Sequence, residues 1–450
     1  MVDLFKRAVC TFDKFIDEEN YDLINEIICK ENIKTRELSS LNMYEVPNSC
    51  HFIWLGNLNL NSLDYLSIWQ KNTSSLTLWI DSQTQYSSLR NELLTLICNK
   101  NGCNLIKAQN ILYQFATKNG ISNLDKTLES YSKIYFPELV FKLQLEKEKY
   151  SHNLSILESK FEVKDIRGDF ETIFFDDAFK KFYLYETILR GNFAAASDIL
   201  RILILKLYGG VYIDVDTLPK LEYNSTLLQH TSQLTPSLLN LVDVVLSHAA
   251  ASQLLGSNPK NEPQLDGCID LLNAHHPKVL SELEQVISKG LHFSMFKYPV
   301  VHRHLLSISA SKNSLGEFNN NLIAAHPNSK ALGIVLREMK KRYRHCETHG
   351  YIFEALSNTR MNDDDYYRRL QHYRYDGLKK GVDEEVTLIL TGPSLLLEVM
   401  IGCAYQLCKL DNEASPSAIS YAFKLRQFGL SYSEQTMFTL KHINSSWMNK

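Results

Sequence analysis

The stretch that decides the fold runs from Gly191 to Asp216 and reads GNFAAASDILRILILKLYGGVYIDVD. Its spacing predicts an apolar helix over residues 193–208, with three alanines and a serine near the start. The glycine pair that follows is typical of a helix end. The next residues, 211–216, predict a buried strand. A helix, a glycine turn and a strand in this order predict an α/β domain.

Two carboxylates, Asp214 and Asp216, lie at the end of this predicted strand. Because successive side chains of a strand point to opposite faces, residues two apart share a face and can meet one cation together. Carboxylates this close repel each other, and a cation or a hydrogen-bond donor relieves the repulsion. Such hard oxygen ligands suit Mg²⁺ or Mn²⁺ that also holds a diphosphate. The pattern therefore predicts a divalent-metal site.

Asp198 and Arg201 lie three residues apart on the preceding helix and share a face. They could pair with each other and still offer bonding edges to sugar hydroxyls, or they could form an ordinary ion pair on the helix surface. The small residues before Asp198 allow the helix to pack closely on the sheet, which would bring Asp198 towards Asp214. An Asp-x-Asp motif alone is weak evidence, but the complete order of elements is specific.

The rest of the chain extends this core. Two short apolar runs with a helical segment between them predict a parallel βαβ unit, and a long helical stretch after them predicts an insertion. We therefore predict a short helical segment followed by one catalytic domain that contains the insertion. The predicted segments are the N-terminal helices 1–45, the catalytic domain 46–450, strands at 48–56, 76–81 and 319–325, the insertion at about 84–190 and a helix at 331–345.

Composition limits the function classes. Of the 450 residues, 48 are Lys or Arg and 51 are Asp or Glu, so the net charge of −3 argues against general nucleic-acid binding. Nine cysteines without a CxxC motif indicate free thiols in a reducing compartment. The N-terminal residues contain no uninterrupted apolar segment, so we do not expect a Sec signal peptide. The most apolar long segment, 388–407, carries Glu398 and is predicted to be buried soluble structure.

With these residues in view, the sequence resembles the glycosyltransferase domain of the large clostridial glucosylating toxins and related bacterial effector glycosyltransferases. The resemblance runs from His51 to Trp447 and is centred on residues 192–219. It implies a GT-A fold, which is a Rossmann-like central mixed sheet, here with extensive helical additions. It also implies a retaining transfer of a hexose from a UDP-sugar with Mn²⁺ or Mg²⁺.

The resemblance implies roles for the residues of the central stretch. Asp198 and Arg201 would hold the donor sugar, and Ser197 and Tyr212 would line the donor pocket. Asp214 would contact ribose and sugar beside the metal, and Asp216 would bind the metal itself.

Outlying segments resemble the family to different degrees. Trp54 stands where the family stacks a tryptophan on uracil, although a core tryptophan is the alternative. Gln83 falls at a nucleoside contact where the family has an asparagine. The donor-sugar role of a family asparagine falls on Asn319, with three consecutive asparagines leaving the register open by one.

The C-terminal residues resemble a flexible loop that closes over the diphosphate through Ser445 and Trp447. The family has a glutamate where this chain has His442. His442 is therefore either a substitute metal ligand, since imidazole can bind Mn²⁺, or a sign that the two sequences are out of register there.

By this resemblance, the expected reaction moves a hexose to a hydroxyl of a host protein, such as a small GTPase. Phe318 and Asn320 beside the sugar would leave little room for an N-acetyl group, which favours UDP-glucose over UDP-N-acetylglucosamine. The expected setting is the host cytoplasm, reached by a toxin or effector secreted from a bacterium. Apolar and basic residues near the N-terminus, such as Phe5 and Lys6, are compatible with peripheral membrane contact or with a plain packing helix.

Two other function classes remain open from the sequence. A phosphohydrolase of the haloacid dehalogenase type also has Asp-x-Asp after an apolar strand, with the first aspartate as nucleophile. That motif places a threonine four residues after the first aspartate, whereas Thr217 is three after Asp214. The other class is a non-catalytic module that binds a host protein.

Overall fold

The structure is a computed structural model of the 450-residue chain. It describes residues 43–222, 236–255, 263–311, 318–354, 367–375, 386–407 and 432–435.

A mixed β-sheet forms the centre of the fold. The described strands are β1 Met43–Glu45, β2 Cys50–Trp54, β3 Leu76–Ile80, β4 Glu162–Asp165, β5 Gly210–Ile213, β6 Leu221–Glu222, β7 His292–Phe293, β8 Val300–His302, β9 Leu306–Ser311, β10 Phe318–Ala325 and β11 Tyr432–Gln435. Within the described ranges the central sheet has the order β11-β9-β10-β5-β2-β3-β4. β5, β2, β3 and β4 are parallel, whereas β10 is antiparallel to both β5 and β9.

Helices surround this sheet. The described α-helices are α1 Tyr65–Asn72, α2 Ser87–Asn101, α3 Leu105–Lys118, α4 Leu124–Tyr135, α5 Leu139–Glu158, α6 Phe170–Ile173, α7 Asp177–Leu184, α8 Phe193–Tyr208, α9 Pro236–Leu255, α10 Pro263–His275, α11 Pro277–Ser288, α12 Lys330–Thr348, α13 Val386–Leu390 and α14 Pro393–Leu407. A π-helical turn over Tyr185–Arg190 leads into α8.

Helix α8 lies against the centre of the sheet. It contacts β2, β5 and β10, and its alanines Ala195 and Ala196 are completely buried. The side chain of Asn192 caps its start by accepting a hydrogen bond from the Ala195 amide at 3.1 Å. The predicted close approach of α8 to the sheet is confirmed, because small side chains let the two backbones come together.

The predicted parallel βαβ unit is also confirmed, since β2 and β3 are parallel neighbours with α1 between them. Two segments differ from the predictions. Residues 43–45 form a strand paired with Val300–His302 rather than the end of a helix. The predicted helical insertion contains β4, which pairs with β3 at the edge of the sheet. The other residues of the predicted N-terminal helical segment, 1–42, lie outside the described residues.

The apolar segment 388–407 forms the end of α13 and helix α14, and Glu398 within it is buried in an ion pair with Arg342. Most residues from 389 to 402 are buried, as predicted, whereas Leu388 is 37% exposed. Within the described ranges, no helix combines the length and the apolar character that a membrane span needs.

The Gly209-Gly210 turn joins α8 to β5 and aims the strand. Gly209 has φ +66°, a conformation that side chains rarely adopt. Its carbonyl accepts a hydrogen bond from His51 Nε2 at 2.9 Å, while His51 Nδ1 accepts from the Trp79 indole at 3.2 Å. Burial lowers the pKa of His51 to about 4, so the ring is neutral and holds the turn.

We expect Gly209→Ala to destabilise the protein by about 3 kcal/mol. A Cβ at Gly209 would lie 2.5 Å from Pro327 Cδ, in addition to the strain of the positive φ. Gly102→Ala is a matched control, because Gly102 also has a positive φ but no heavy atom within 4 Å of the added Cβ. Its expected cost is about 1 kcal/mol. Urea unfolding of both variants measures the difference, and equal losses would show that the Pro327 contact is unimportant.

Candidate active site

The candidate residues gather at one edge of the central sheet. Because β2, β3, β4 and β5 are parallel, their carboxyl ends share this edge, and the antiparallel β10 begins there. Trp54 ends β2, Asp81 follows β3, Asp214 follows β5, and Asn320 lies in the first part of β10. Ligands of open α/β sheets bind at this edge, so the topology itself forms a site.

Arg201 connects the parts of this site. Its Nη2 lies 3.2 Å from Asp198 Oδ1 and 3.2 Å from Asp214 Oδ1. Its Nη1 donates to the Asn320 carbonyl at 2.8 Å, and its guanidinium carbon lies 4.2 Å from the centre of the Tyr212 ring. The Asp198 and Arg201 side chains are 6% and 7% exposed, so the surface ion-pair interpretation is wrong. Arg201 is the positive centre between a buried carboxylate, Asp198, and a partly exposed one, Asp214.

Electrostatics keep Arg201 charged and Asp198 easily protonated. Burial opposes the charge of Arg201, but the carboxylates of Asp214 and Asp198 outweigh this effect and raise its pKa. Burial raises the pKa of Asp198 to about 6, although Arg201 and hydrogen bonds from Thr391 and Asn320 oppose the rise. Asp198 therefore changes its charge close to neutral pH.

The Asp198 carboxylate is held by three groups on three elements. Asn320 Nδ2 donates to Oδ1 at 2.9 Å, beside the Arg201 contact, and Thr391 Oγ1 donates to Oδ2 at 2.9 Å. Thr391 lies between α13 and α14 and was not predicted as a site residue. Its contact spans 193 residues, and only the turn residues Gly392-Pro393 next to it were a local signal.

Tyr212 and Ser197 meet the first aspartate of the Asp-x-Asp motif. The Tyr212 hydroxyl donates to Asp214 Oδ1 at 2.5 Å and is hydrogen-bonded to the Ser197 side chain. Burial raises the pKa of Tyr212 well above its ordinary value, so the hydroxyl keeps its proton. The predicted neighbourhood of Ser197, Tyr212 and Asp214 is thus present in the structure.

The strand that precedes the motif is shorter than predicted. β5 ends at Ile213, and Asp216 lies in the turn that follows, so strand alternation does not place the two carboxylates on one face. They are nevertheless close enough to interact. Burial, and then the charge of Asp214, raise the pKa of Asp216 to about 7. A turn rather than a strand brings the pair together.

These two carboxylates fit a hard divalent ion. Among the described residues, no group of three or more His, Cys, Asp or Glu side chains is placed to hold a metal. Two carboxylates suffice for Mg²⁺ or Mn²⁺ when phosphate oxygens and water complete the coordination. Burial and the charge of Asp214 both raise the pKa of Asp216, and a cation beside this carboxylate would oppose both effects.

The three consecutive asparagines lie at an irregular point of the sheet. The pairing of β10 with β9 shifts between Asn319 and Ile323, which indicates a bulge. Asn320 reaches Asp198, whereas the Asn321 carbonyl accepts the Asp214 amide at 2.8 Å. The Asn319 carbonyl accepts from Ser309 at 3.0 Å. The bulge therefore brings the Asn320 side chain to Asp198, whereas the donor-sugar role expected at Asn319 stays a prediction.

Trp54 and Gln83 lie at the neighbouring strand ends. Trp54 is partly buried, and its indole donates to the Asn57 carbonyl at 2.8 Å. Gln83 follows Asp81, a buried carboxylate that accepts two hydrogen bonds of 2.7 Å from Arg167 and one from Tyr183. The Gln83 amide donates to the same carboxylate at 2.9 Å. The loop that carries Gln83 is thus firmly anchored.

Three predicted residues of the C-terminal loop, His442, Ser445 and Trp447, lie outside the described residues.

Known proteins are similar to this chain in sequence. The profile of the TcdA/TcdB catalytic glycosyltransferase domain family matches residues 99–374. The chain belongs to this family. It is 24% identical to Toxin A of Clostridium novyi over 429 residues, or 83% of this chain and 18% of that protein. It is 28% identical to Toxin B of Clostridioides difficile over 213 residues, or 41% of this chain and 9% of that protein.

Solved structures of glycosyltransferase domains from toxins share the fold. The catalytic domain of alpha-toxin from Clostridium novyi has a TM-score of 0.66 at 20% identity, covering 95% of this chain and 83% of that one. The UDP-bound glycosyltransferase domain of the YGT toxin has a TM-score of 0.59 at 16% identity, covering 86% and 80%. The predicted GT-A fold is thus confirmed.

Family membership also decides the class of activity. The chain is a glycosyltransferase domain, and the phosphohydrolase and non-catalytic interpretations are set aside. The chain spans less than a fifth of the length of the curated relatives it matches.

Proposed function

We propose that this TcdA/TcdB-type domain is a metal-dependent retaining hexosyltransferase that moves glucose from UDP-glucose to a hydroxyl of a host protein, as part of a bacterial toxin or effector. The observation that supports it is the buried Arg201 guanidinium held between Asp198 and Asp214 at the carboxyl edge of the sheet. This arrangement offers a cation and carboxylate oxygens side by side, which is what a neutral, hydroxyl-rich ligand requires.

The donor sugar lies against Asp198, Arg201 and Asn320 in this proposal. Carboxylate oxygens accept hydrogen bonds from sugar hydroxyls, while the guanidinium and the amide donate to them. Donor preference follows from the bulged asparagine. Asn320 is half-buried and hydrogen-bonded to Asp198, so it occupies space beside the sugar, whereas Phe318 is buried in the sheet. This placement favours UDP-glucose over UDP-N-acetylglucosamine.

The metal is Mn²⁺ or Mg²⁺ bound by Asp216 and Asp214, with His442 as a further ligand from the C-terminal loop. When bound, the ion would neutralise the negative charge of the diphosphate of UDP, which is the leaving group. The chain's own contribution is position. Tyr212 holds the Asp214 carboxylate by a hydrogen bond to Oδ1, and Arg201 balances the charge at the same oxygen.

The nucleoside and diphosphate are bound by the outlying residues. Trp54 stacks on the uracil ring at the end of β2, and Gln83 contacts the nucleoside from its anchored loop. Ser197 lines the donor pocket beside Tyr212. Ser445 and Trp447 close over the diphosphate and exclude water from the reacting atoms, which strengthens every polar contact there.

The acceptor is a host protein, with a small GTPase as our first candidate, and the reaction takes place in the host cytoplasm. The relatives that support this setting are named as toxins. Peripheral membrane contact through the N-terminal residues belongs to the same proposal.

Donor hydrolysis by the purified chain tests the function. We expect UDP release from UDP-glucose with Mn²⁺, a slower release from UDP-N-acetylglucosamine, and loss of both with EDTA. Asp216→Asn should lower the rate by about 100-fold or more, because the metal loses a charged ligand. Asp266→Asn, at an exposed position of α10, is the matched control and should keep the wild-type rate.

Two results would contradict the proposal. A folded protein that releases no UDP from either donor lacks the activity. UDP release that EDTA and Asp216→Asn leave unchanged would show that no metal is needed. If the protein is active, transfer of labelled sugar in a host lysate would identify the acceptor.

A further inference from the structure

The turn between α13 and α14 contacts the active site through one hydroxyl group. Thr391 is buried, and its Oγ1 lies 2.9 Å from Asp198 Oδ2 and 3.3 Å from the Thr387 carbonyl. A threonine hydroxyl has a single proton to donate. The shorter contact goes to the carboxylate, which is also the stronger acceptor, so the proton lies towards Asp198.

The surrounding structure keeps this hydroxyl in place. The Gly392 amide donates to the Thr387 carbonyl at 2.9 Å and closes the turn. Arg342 Nη1 donates to the Ile389 carbonyl, which ties α13 to α12. Asn192 Nδ2 donates to Thr387 Oγ1 at 2.8 Å. Asn192 also caps α8, the helix that carries Asp198. Asn192 therefore connects the segment that carries Thr391 with the helix that carries Asp198.

The two oxygens of Asp198 have different surroundings. Oδ1 accepts hydrogen bonds from Arg201 and Asn320. At Oδ2, the donor among the described residues is Thr391. The terminal torsion of an aspartate is broad, so contacts at one oxygen leave the plane of the carboxylate free to turn. A donor at the second oxygen fixes the plane.

We propose that Thr391 is a positioning residue, which holds the Asp198 carboxylate in the plane that accepts a hydroxyl of the donor sugar. This inference rests on the proposed function, because it assumes that Asp198 binds the sugar. Thr391 acts through Asp198 and touches neither the sugar nor the metal. This role would explain why a buried polar residue directly follows the apolar helix α13.

Thr391→Val removes the hydroxyl and keeps the shape of the side chain. We expect kcat/KM for UDP-glucose hydrolysis to fall about 10-fold, and Thr391→Ser to restore most of it. The acid limb of the pH profile should also move. Asp198 would lose a donor that lowers its pKa, while burial, Arg201, Asn320 and the charge of Asp214 remain. The midpoint of this limb should therefore shift to higher pH in Thr391→Val and return in Thr391→Ser.

Thr127→Val is the matched control. Thr127 is also buried, but its hydroxyl donates to the backbone carbonyl of Asn123, just before α4, and not to a carboxylate of the site. It should leave both the rate and the acid limb unchanged, and thermal unfolding of all variants reports whether they are folded.

The outcomes separate the inference from the function on which it rests. If the folded wild type releases no UDP, both the proposed function and the role of Thr391 are contradicted. If the wild type is active and Thr391→Val keeps its rate and acid limb, the inference alone is overturned. A lower rate with an unmoved acid limb and no rescue by serine would also overturn it, because packing and not the hydroxyl would then be responsible.

Discussion

Replacing Arg201 by lysine is expected to lower kcat/KM for UDP-glucose hydrolysis at least about 100-fold, although the charge is kept. The Arg201 guanidinium uses separate nitrogens for the Asn320 carbonyl and for the two aspartates, and its flat face lies on the Tyr212 ring. An ammonium group offers no flat surface and cannot reproduce this fork. The buried charge of Asp198 and the partly exposed charge of Asp214 would be left with poorer compensation.

Steady-state UDP release, measured beside thermal unfolding, tests this prediction. Arg303→Lys is the control, because Arg303 is exposed after β8 and the same chemical change there should have no effect. A folded Arg201→Lys protein that keeps its activity within threefold of the wild type would contradict the assigned role.

Removing the buried carboxylate of Glu398 is expected to destabilise the fold by about 3–5 kcal/mol. Glu398 is 3% exposed in α14 and forms an ion pair with Arg342, which is completely buried in α12. Without this partner, Arg342 keeps only part of the compensation for its charge, through Glu338 at 3.1 Å. The decrease in the free energy of unfolding should be several-fold larger than the decrease caused by removing a typical surface ion pair.

Urea unfolding of Glu398→Ala and Glu171→Ala makes the comparison. Glu171 forms an ion pair with Lys180 but is 81% exposed, so its removal should cost less than about 1 kcal/mol. A loss of under 1 kcal/mol in Glu398→Ala would contradict the structural importance of the buried pair. Because Arg342 also holds the Ile389 carbonyl, the same variant should loosen the turn that carries Thr391.

The core of the site could be predicted because its signals are local. Asp198 and Arg201 share a helix face by spacing, and the glycine turn and the apolar run place Asp214 at a strand end. The buried ion pair then follows from the close packing of α8, which its alanines permit. Short-range patterns were sufficient for these residues.

Other features depend on contacts that no local pattern contains. β4 reads EVKD and lies at the edge of the sheet with alternate residues exposed, so it has no apolar run to reveal a strand. The contact of Asn320 with Asp198 depends on a bulge against β9. Thr391 reaches Asp198 from another part of the chain. Asp216 was placed on a strand because the apolar run continues through Val215, but the chain turns after Ile213.

We propose that a UDP-sugar and a divalent ion bind side by side, the sugar at the cluster of Asp198 and Arg201 and the ion at the adjoining Asp214 and Asp216. Crystals of the protein grown with MnCl₂ and a non-hydrolysable UDP-glucose analogue, measured at the manganese absorption edge, test it most directly. We predict an anomalous peak at the Asp216 carboxylate and the hexose hydroxyls within hydrogen-bond distance of Asp198 and Arg201. Manganese and nucleotide bound elsewhere, with this cluster unchanged and in contact with neither, would contradict it.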